Sequence, residues 1–263
     1  RTLRYIPARV QDNPHLAPGY ALELAAKPPA LRDALLYGRW DAFEGQVFTE
    51  WRDDPAAYGT GRFTHVVAPF PIPESWRRFR SFDFGYSRPF SVGWWALDPH
   101  GTLVRYREWY GCTGVPNAGL RLTPTAIARG IAEAERAHER GLLVTGYADP
   151  SIWDGSRGES IADQMQREGV YFLPAENARL AGLMQVHRRL EFDAEGRSGV
   201  QVFSTCRDSI RTLPALSYDA QRCEDVDTQG EDHIYDEWRY LFMAHPLPEA
   251  PKPAPRRRYS PLD

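Results

Sequence analysis

Arg78-Phe79-Arg80-Ser81-Phe82-Asp83-Phe84-Gly85-Tyr86-Ser87, continued by Arg88-Pro89-Phe90-Ser91-Val92-Gly93-Trp94-Trp95-Ala96-Leu97, reads as two strands joined by a tight turn. Strand side chains alternate, so Phe82 and Phe84 fall on one face and Ser81 and Asp83 on the other. An acid inside a core strand is costly unless something pairs with it, and a metal cation is one such partner. A strand-end acid bonded to a nearby turn is the plainer reading. Gly85 lets a backbone or a substrate approach the carboxylate.

Working outward, Pro99-His100-Gly101 is a hairpin turn and residues 102–110 a third strand, which makes a three-strand meander. Thr123 then caps a helix with Pro124 in its first position, and Ile127, Ile131, Ala134 and His138 mark the inner face. Gly141 ends it. Residues 142–148 form an apolar strand closed by Asp149-Pro150, and a strand after a helix implies a parallel crossover. Helices follow at 160–168, 180–192 and 206–216, with strands at 170–173 and 199–203. Residues 217–226 are a strand or hairpin arm, and 232–244 the last helix. The order predicts an α/β domain with a mixed sheet of five or more strands, flanked by helices, over residues 66–246.

Three acidic sites stand out. Asp83 is in the first strand. Asp149 leaves the fourth strand where ligands bind in open α/β sheets, although an Asp-Pro turn former explains it equally; Asp154 is a spare nearby. The third is Glu231-Asp232-His233-Ile234-Tyr235-Asp236. Ile234, Trp238, Leu241 and Phe242 share the buried stripe of that helix, while His233 and Asp236, or Asp232 and Asp236, share a neighbouring face. An acidic first turn favoured by the helix dipole accounts for Glu231 and Asp232 but poorly for His233 and Asp236. Three such sites suit two divalent cations, and oxygen-rich donors favour Mg²⁺ or Mn²⁺. Two ions ~3.5–4 Å apart can activate a water and stabilise the leaving oxygen of a phosphodiester.

Composition sets the limits. The 263 residues, 42% hydrophobic and 13% aromatic, suffice for one large domain with an appendage. There is no membrane-length apolar run and no secretory signal. Cys112, Cys206 and Cys223 show no metal spacing, which fits a reducing compartment. The net charge of -3 does not advertise a nucleic-acid binder. All basic residues except Lys27 and Lys252 are arginine, which suits bidentate phosphate contacts but also fits a GC-rich codon bias. Residues 1–65 read as a connecting segment: a turn at Asp12-Asn13-Pro14, short helices at 20–26 and 30–37 stopped by Gly38, then an aromatic run whose Trp40, Phe48 and Trp51 pack on the main domain. Residues 247–263 are a Pro/Arg-rich flexible tail.

Together the motifs resemble the nuclease domain of a tailed-phage terminase large subunit, a ribonuclease H-like fold related to RuvC-type resolvases. They are Phe82-Asp83-Phe84-Gly85, Ala148-Asp149-Pro150, and Asp232-His233-Ile234-Tyr235-Asp236 followed by Arg239-Tyr240. Asp12-Asn13-Pro14, Leu36-Tyr37-Gly38-Arg39-Trp40, Gly45-Gln46-Val47-Phe48 and Val202-Phe203-Ser204-Thr205-Cys206 match as well, the leading ones resembling the end of the terminase ATPase domain and its link to the nuclease. The resemblance covers most of residues 1–245. It implies a metal-dependent endonuclease that cuts concatemeric viral DNA during packaging in the cytoplasm of an infected bacterium. It further implies that Asp83 bridges two Mg²⁺ or Mn²⁺ ions, Asp149 binds one, and His233 or Asp236 the other, with Asp232 a further candidate. Double-stranded DNA, the terminase small subunit and the portal are the implied partners.

The sequence departs from a whole terminase in lacking a Gly-x-x-x-x-Gly-Lys-Ser/Thr loop. With Arg1 as its first residue it reads as a fragment or processed product, with an ATPase domain expected upstream. A junction resolvase and a non-catalytic docking module of the packaging machine are the alternatives. Candidate DNA contacts are Arg77, Arg78, Arg80 and Arg88 near the first acid, and Arg179, Arg188 and Arg189 on a later helix, with a weaker claim for His187.

Overall fold

The computed structural model describes residues 46–156, 158–219, 222 and 225–247. The turn at Asp12, the helices at 20–26 and 30–37, Gly38, Trp40, Cys223 and the tail beyond residue 247 lie outside the described residues.

Seven strands form one mixed sheet: β1 (Val66–Val67), β2 (Arg77–Asp83), β3 (Ser91–Leu97), β4 (Leu103–Tyr110), β5 (Val144–Ala148), β6 (Leu173–Pro174) and β7 (Val200–Phe203), in the order β1-β7-β4-β3-β2-β5-β6. β2, β3 and β4 are the antiparallel meander that their short turns require. The β3–β4 turn is held by Asp98, whose Oδ1 accepts from His100 N and Thr102 N at 2.8 Å. β5 lies parallel to β2, as the intervening helix demands, and β7 lies parallel to both β4 and β1.

The helices are α1 (Pro124–His138), α2 (Ile161–Arg167), α3 (Arg179–Leu190), α4 (Arg207–Thr212) and α5 (His233–Ala244). Thr123 caps α1 through Ala126 N at 3.2 Å, with Pro124 in the first turn. Ile127 and Ile131 are buried, as the spacing predicts, but His138 is exposed. Glu139 is buried in its stead, because Arg78 and Arg107 reach its carboxylate from the sheet.

The alternation of β2 sorts the two faces. Arg78 and Arg80 point to α1, pairing with Glu139 and Glu135, whereas Ser81 and Asp83 point to α5, meeting Glu237 and His233. α5 runs beneath β2, β3 and β5 and has α3 on its far side. Its Ile234, Trp238, Leu241 and Phe242 are all fully buried. The aromatics ahead of residue 66 join the same layer: Phe48 packs on Tyr235 and Trp51 on Trp238. β1, at the first residues of the predicted domain, pairs with β7 and forms one edge of the sheet.

Candidate metal centre

A buried polar network sets the position of α5. Glu237 is fully buried, and its carboxylate accepts from Arg105 Nη1 at 2.6 Å, Ser91 Oγ at 3.1 Å, Trp95 Nε1 at 3.1 Å and Ser81 Oγ. A buried carboxylate demands such satisfaction, which makes helix rotation about this point costly. Asp83 is two residues after Ser81 on the strand, and His233 is four residues before Glu237 on the helix. The steps match: two strand residues rise about 6.6 Å and four helical residues about 6 Å. Anchoring Glu237 on Ser81 therefore delivers His233 to Asp83.

His233 Nδ1 lies 3.2 Å from Asp83 Oδ2. Its Nε2 lies 3.1 Å from Asn117 Oδ1. Asp83 closes β2, and Gly85 then permits a tight loop, since a Cβ there would meet Pro89 O at 2.2 Å. The close approach at Gly85 is thus made by the chain's own backbone. Burial, followed by the charges of Asp236 and Asp232, pushes the Asp83 carboxyl up to about 7 against the lowering effect of His233. The Asp83 carboxylate in return holds His233 above its ordinary value, against burial.

Asp149 sits at the exit of β5, beside the exit of β2, and caps the 3-10 turn Pro150–Trp153 by accepting from Ser151 N at 2.6 Å. The turn-former reading of this residue and its place at the strand end hold together. Burial raises its pKa, but hydrogen bonds from Ser151 and Tyr240 and the charge of Arg239 outweigh this, and the net shift is downward. Tyr240 joins the two acids: its hydroxyl is 2.7 Å from Asp149 Oδ2 and 3.4 Å from Asp83 Oδ1. Tyr240 stands seven residues, two helical turns, after His233, so its place on the same helix face was available in the spacing. Asn117 left a weaker signal, a Pro-Asn turn after β4.

The two other acids of α5 differ. Asp236 is held by Arg239, 2.8 Å from Nη2 and 3.2 Å from Nε, and by Arg179 Nη1 at 3.7 Å, and all three contacts fall on Oδ1. Asp232 is buried and stands in the capping position, yet its side chain makes no capping bond. The capping role that the acidic first turn suggests is therefore not made. Burial and the charge of Asp236 push the Asp232 carboxyl up to about 6.

Three of the seven predicted DNA arginines are turned inward. Arg78 pairs with Glu139, Arg80 with Glu135 and Tyr171 O, and Arg189 donates to Gly199 O and His245 O; all three are buried. Their partners and burial take them out of reach of a phosphate, which corrects the expectation drawn from their charge. Arg179 is committed to Asp225 and Asp236, and His187 to Glu50 at 2.8 Å. Arg77 and Arg88 are exposed, and Arg188 is partly so. Asp154 is exposed and accepts from Ser156 N, apart from this network.

Among the described residues, no three His, Cys, Asp or Glu side chains stand as a group that could hold a metal ion as they are placed. The donor chemistry nevertheless fits a hard divalent cation. The donors are carboxylate oxygens and one imidazole, and a cation would offset the burial and the neighbouring negative charge that lift Asp83 and Asp232.

No family model and no curated protein matches the chain. Solved structures do match. The large terminase of a thermophilic bacteriophage, in complex with ADP, superposes with a TM-score of 0.57 at 19% identity, over 89% of this chain and 53% of that one. The same large terminase in complex with ATP-gamma-S gives 0.58 at 18% identity, over 89% and 54%. The nuclease domain of the P22 large terminase gives 0.52 at 17% identity, over 71% of this chain and 90% of that domain. The chain thus spans about half the length of the thermophilic phage's large terminase. It has the ribonuclease H-like α/β fold of phage large terminase nuclease domains. Among the described residues no helix is long and apolar enough to cross a membrane.

Proposed function

We propose that the chain is the nuclease part of a phage terminase large subunit, a metal-dependent endonuclease that cuts concatemeric viral DNA in the cytoplasm of an infected bacterium. The observation that carries the reading is the convergence on Asp83, whose Oδ2 meets His233 and whose Oδ1 is linked through the Tyr240 hydroxyl to Asp149. These residues lie far apart in sequence and converge at the exits of β2 and β5, under the start of α5. The shared fold supports the same reading.

Asp83 is the residue that would hold two Mg²⁺ or Mn²⁺ ions, with Asp149 on one and His233 and Asp236 on the other. Such ions, when bound, lower the pKa of a water and offset charge on the leaving oxygen of a phosphodiester. Asp236 keeps Oδ2 for this role because Arg239 and Arg179 engage Oδ1. Arg239, itself buried and bonded to Asn177 O at 2.7 Å, orients that carboxylate. Tyr240 orients Asp149 and keeps its charge. Arg88, on the loop that leaves Asp83, is the arginine best placed to meet a phosphate, with Arg188 a second candidate. The small subunit, the portal and an upstream ATPase domain complete the proposed machine.

A plasmid-nicking assay tests the reading. Cleavage should appear with Mn²⁺ or Mg²⁺, vanish in EDTA and ignore ATP. Metal-independent cleavage would overturn the metal reading, and a strong preference for four-way junctions over linear duplex would replace packaging by junction resolution.

A further inference from the structure

Asn117 is held between the two elements that build the metal centre. It sits in the hairpin-like loop after β4, pinned by the Cys112–Gly119 bridge and by Thr113 N to Ala118 O at 2.9 Å. Gly119 N donates to Ser87 O at 2.9 Å, which ties this loop to the one that follows Asp83. On the other side, Asn117 Nδ2 donates to Gln229 O at 2.9 Å and to Gly230 O at 3.0 Å, just ahead of α5. The backbone of Asn117 has φ of 61°, a left-handed conformation that asparagine tolerates better than most residues.

These contacts decide which way the amide points. Gln229 O and Gly230 O are acceptors only, so they require the NH₂ group. Reversing the amide would set Oδ1 against two carbonyl oxygens. Oδ1 is therefore the atom that faces His233 Nε2 at 3.1 Å, and being an acceptor it requires a proton there. With Nε2–H fixed, Nδ1 is the nitrogen directed at Asp83 Oδ2, at 3.2 Å, and the one at which a cation shared with that carboxylate would take the place of a proton.

We infer that Asn117 is a positioning residue for the metal centre: it fixes the His233 tautomer so that Nδ1 serves, with Asp83, as a ligand of one cation. The inference rests on the metal-dependent reading above. It assigns to a neutral amide the task that metal sites commonly give to a carbonyl or carboxylate behind a ligating imidazole. It also makes Asn117 matter most for Mn²⁺, since imidazole is a poorer ligand for Mg²⁺ than oxygen.

The test is calorimetric titration of the full chain with Mn²⁺ alone and with Mg²⁺ alone. Asn117→Gly keeps the left-handed backbone and removes the amide, and should weaken Mn²⁺ binding by about 10–100-fold. Its Mg²⁺ affinity should change by less than about 3-fold. In a His233→Ala background, Asn117→Gly should have no further effect on Mn²⁺. An unchanged Mn²⁺ affinity in Asn117→Gly, or an equal loss for both metals, overturns the inference while leaving the metal reading intact. Binding of neither metal by the parent chain overturns the metal reading itself. A measurement without any variant gives a second check. Imidazole nitrogen-15 shifts of His233 in the metal-free chain should report a proton on Nε2, and a proton on Nδ1 alone contradicts the proposal.

Discussion

Tyr240 donates its hydroxyl hydrogen to Asp149 Oδ2 at 2.7 Å, from a helix two turns past His233 to a strand exit on the other side of the site. The phenol has one proton, and the shorter contact takes it; Asp83 Oδ1 at 3.4 Å receives at most a weak share. Tyr240→Phe should lower cleavage by roughly 10-fold, because Asp149 loses its orienting partner. The sign of the pH effect follows from the depressed pKa of Asp149. That shift contributes stability that is present above the unfolded-state value and lost as pH falls through the folded one. Tyr240→Phe should shrink this acid-range loss, which melting curves between neutral pH and the carboxylate range will measure.

Asp83→Asn should abolish cleavage and leave the fold intact. In EDTA it should stabilise the protein, since burial and neighbouring acids lift the parent carboxyl from 3.8 to about 7. A raised carboxyl gives stability that is fully present below the unfolded value and lost as pH rises through the folded one. The advantage of Asn over Asp should therefore grow between pH 4 and pH 7 and level off above. Thermal melting against pH, beside plasmid nicking, checks both halves. Full activity in the variant would refute the assignment of Asp83.

The two acids at the start of α5 should separate by stability. Asp236→Asn strips the buried Arg239 of its charged partner, and should cost about 1–3 kcal/mol as well as most cleavage in either metal. Asp232→Asn removes a buried acid that makes no capping bond, and should leave folding unharmed or improved with the smaller loss of cleavage. Denaturant titration and single-turnover cleavage of both variants test the order.

Arginines on one strand and its loop should divide by burial. Arg88→Ala should weaken duplex binding at low salt and reduce the slope of log affinity against log salt by about 0.9, with folding unchanged. Arg80→Ala leaves Glu135 facing a buried gap, and should cost about 3–5 kcal/mol of stability. Filter binding across a salt series and melting of the two variants distinguish the roles.

The meander, the crossover and the last helix were legible because short turns, a Thr-Pro cap and a 3.6-residue stripe each state their own structure. Asp83 stands out as an acid read within a core strand, and Asp149 as one that ends a strand. β1 escaped, since two residues, Val66 and Val67, carry no periodicity. The arginines mislead for a related reason: alternation says that Arg78 and Arg80 share a face, not that α1 brings Glu139 and Glu135 to cover it. Glu237 gives no signal in the sequence, because burial of an acid is improbable without Arg105, Ser81, Ser91 and Trp95 around it. Asn117 belongs to the same class, its role set by partners over a hundred positions away.

Asp83 is proposed above as the residue on which two cations meet. Anomalous diffraction from a crystal of the chain soaked in Mn²⁺ tests it most directly. Two peaks about 3.5–4 Å apart are expected, both on Asp83, one reaching Asp149 and the other His233 Nδ1. Anomalous density that avoids Asp83, or a single ion that leaves both Asp149 and His233 untouched, would contradict it.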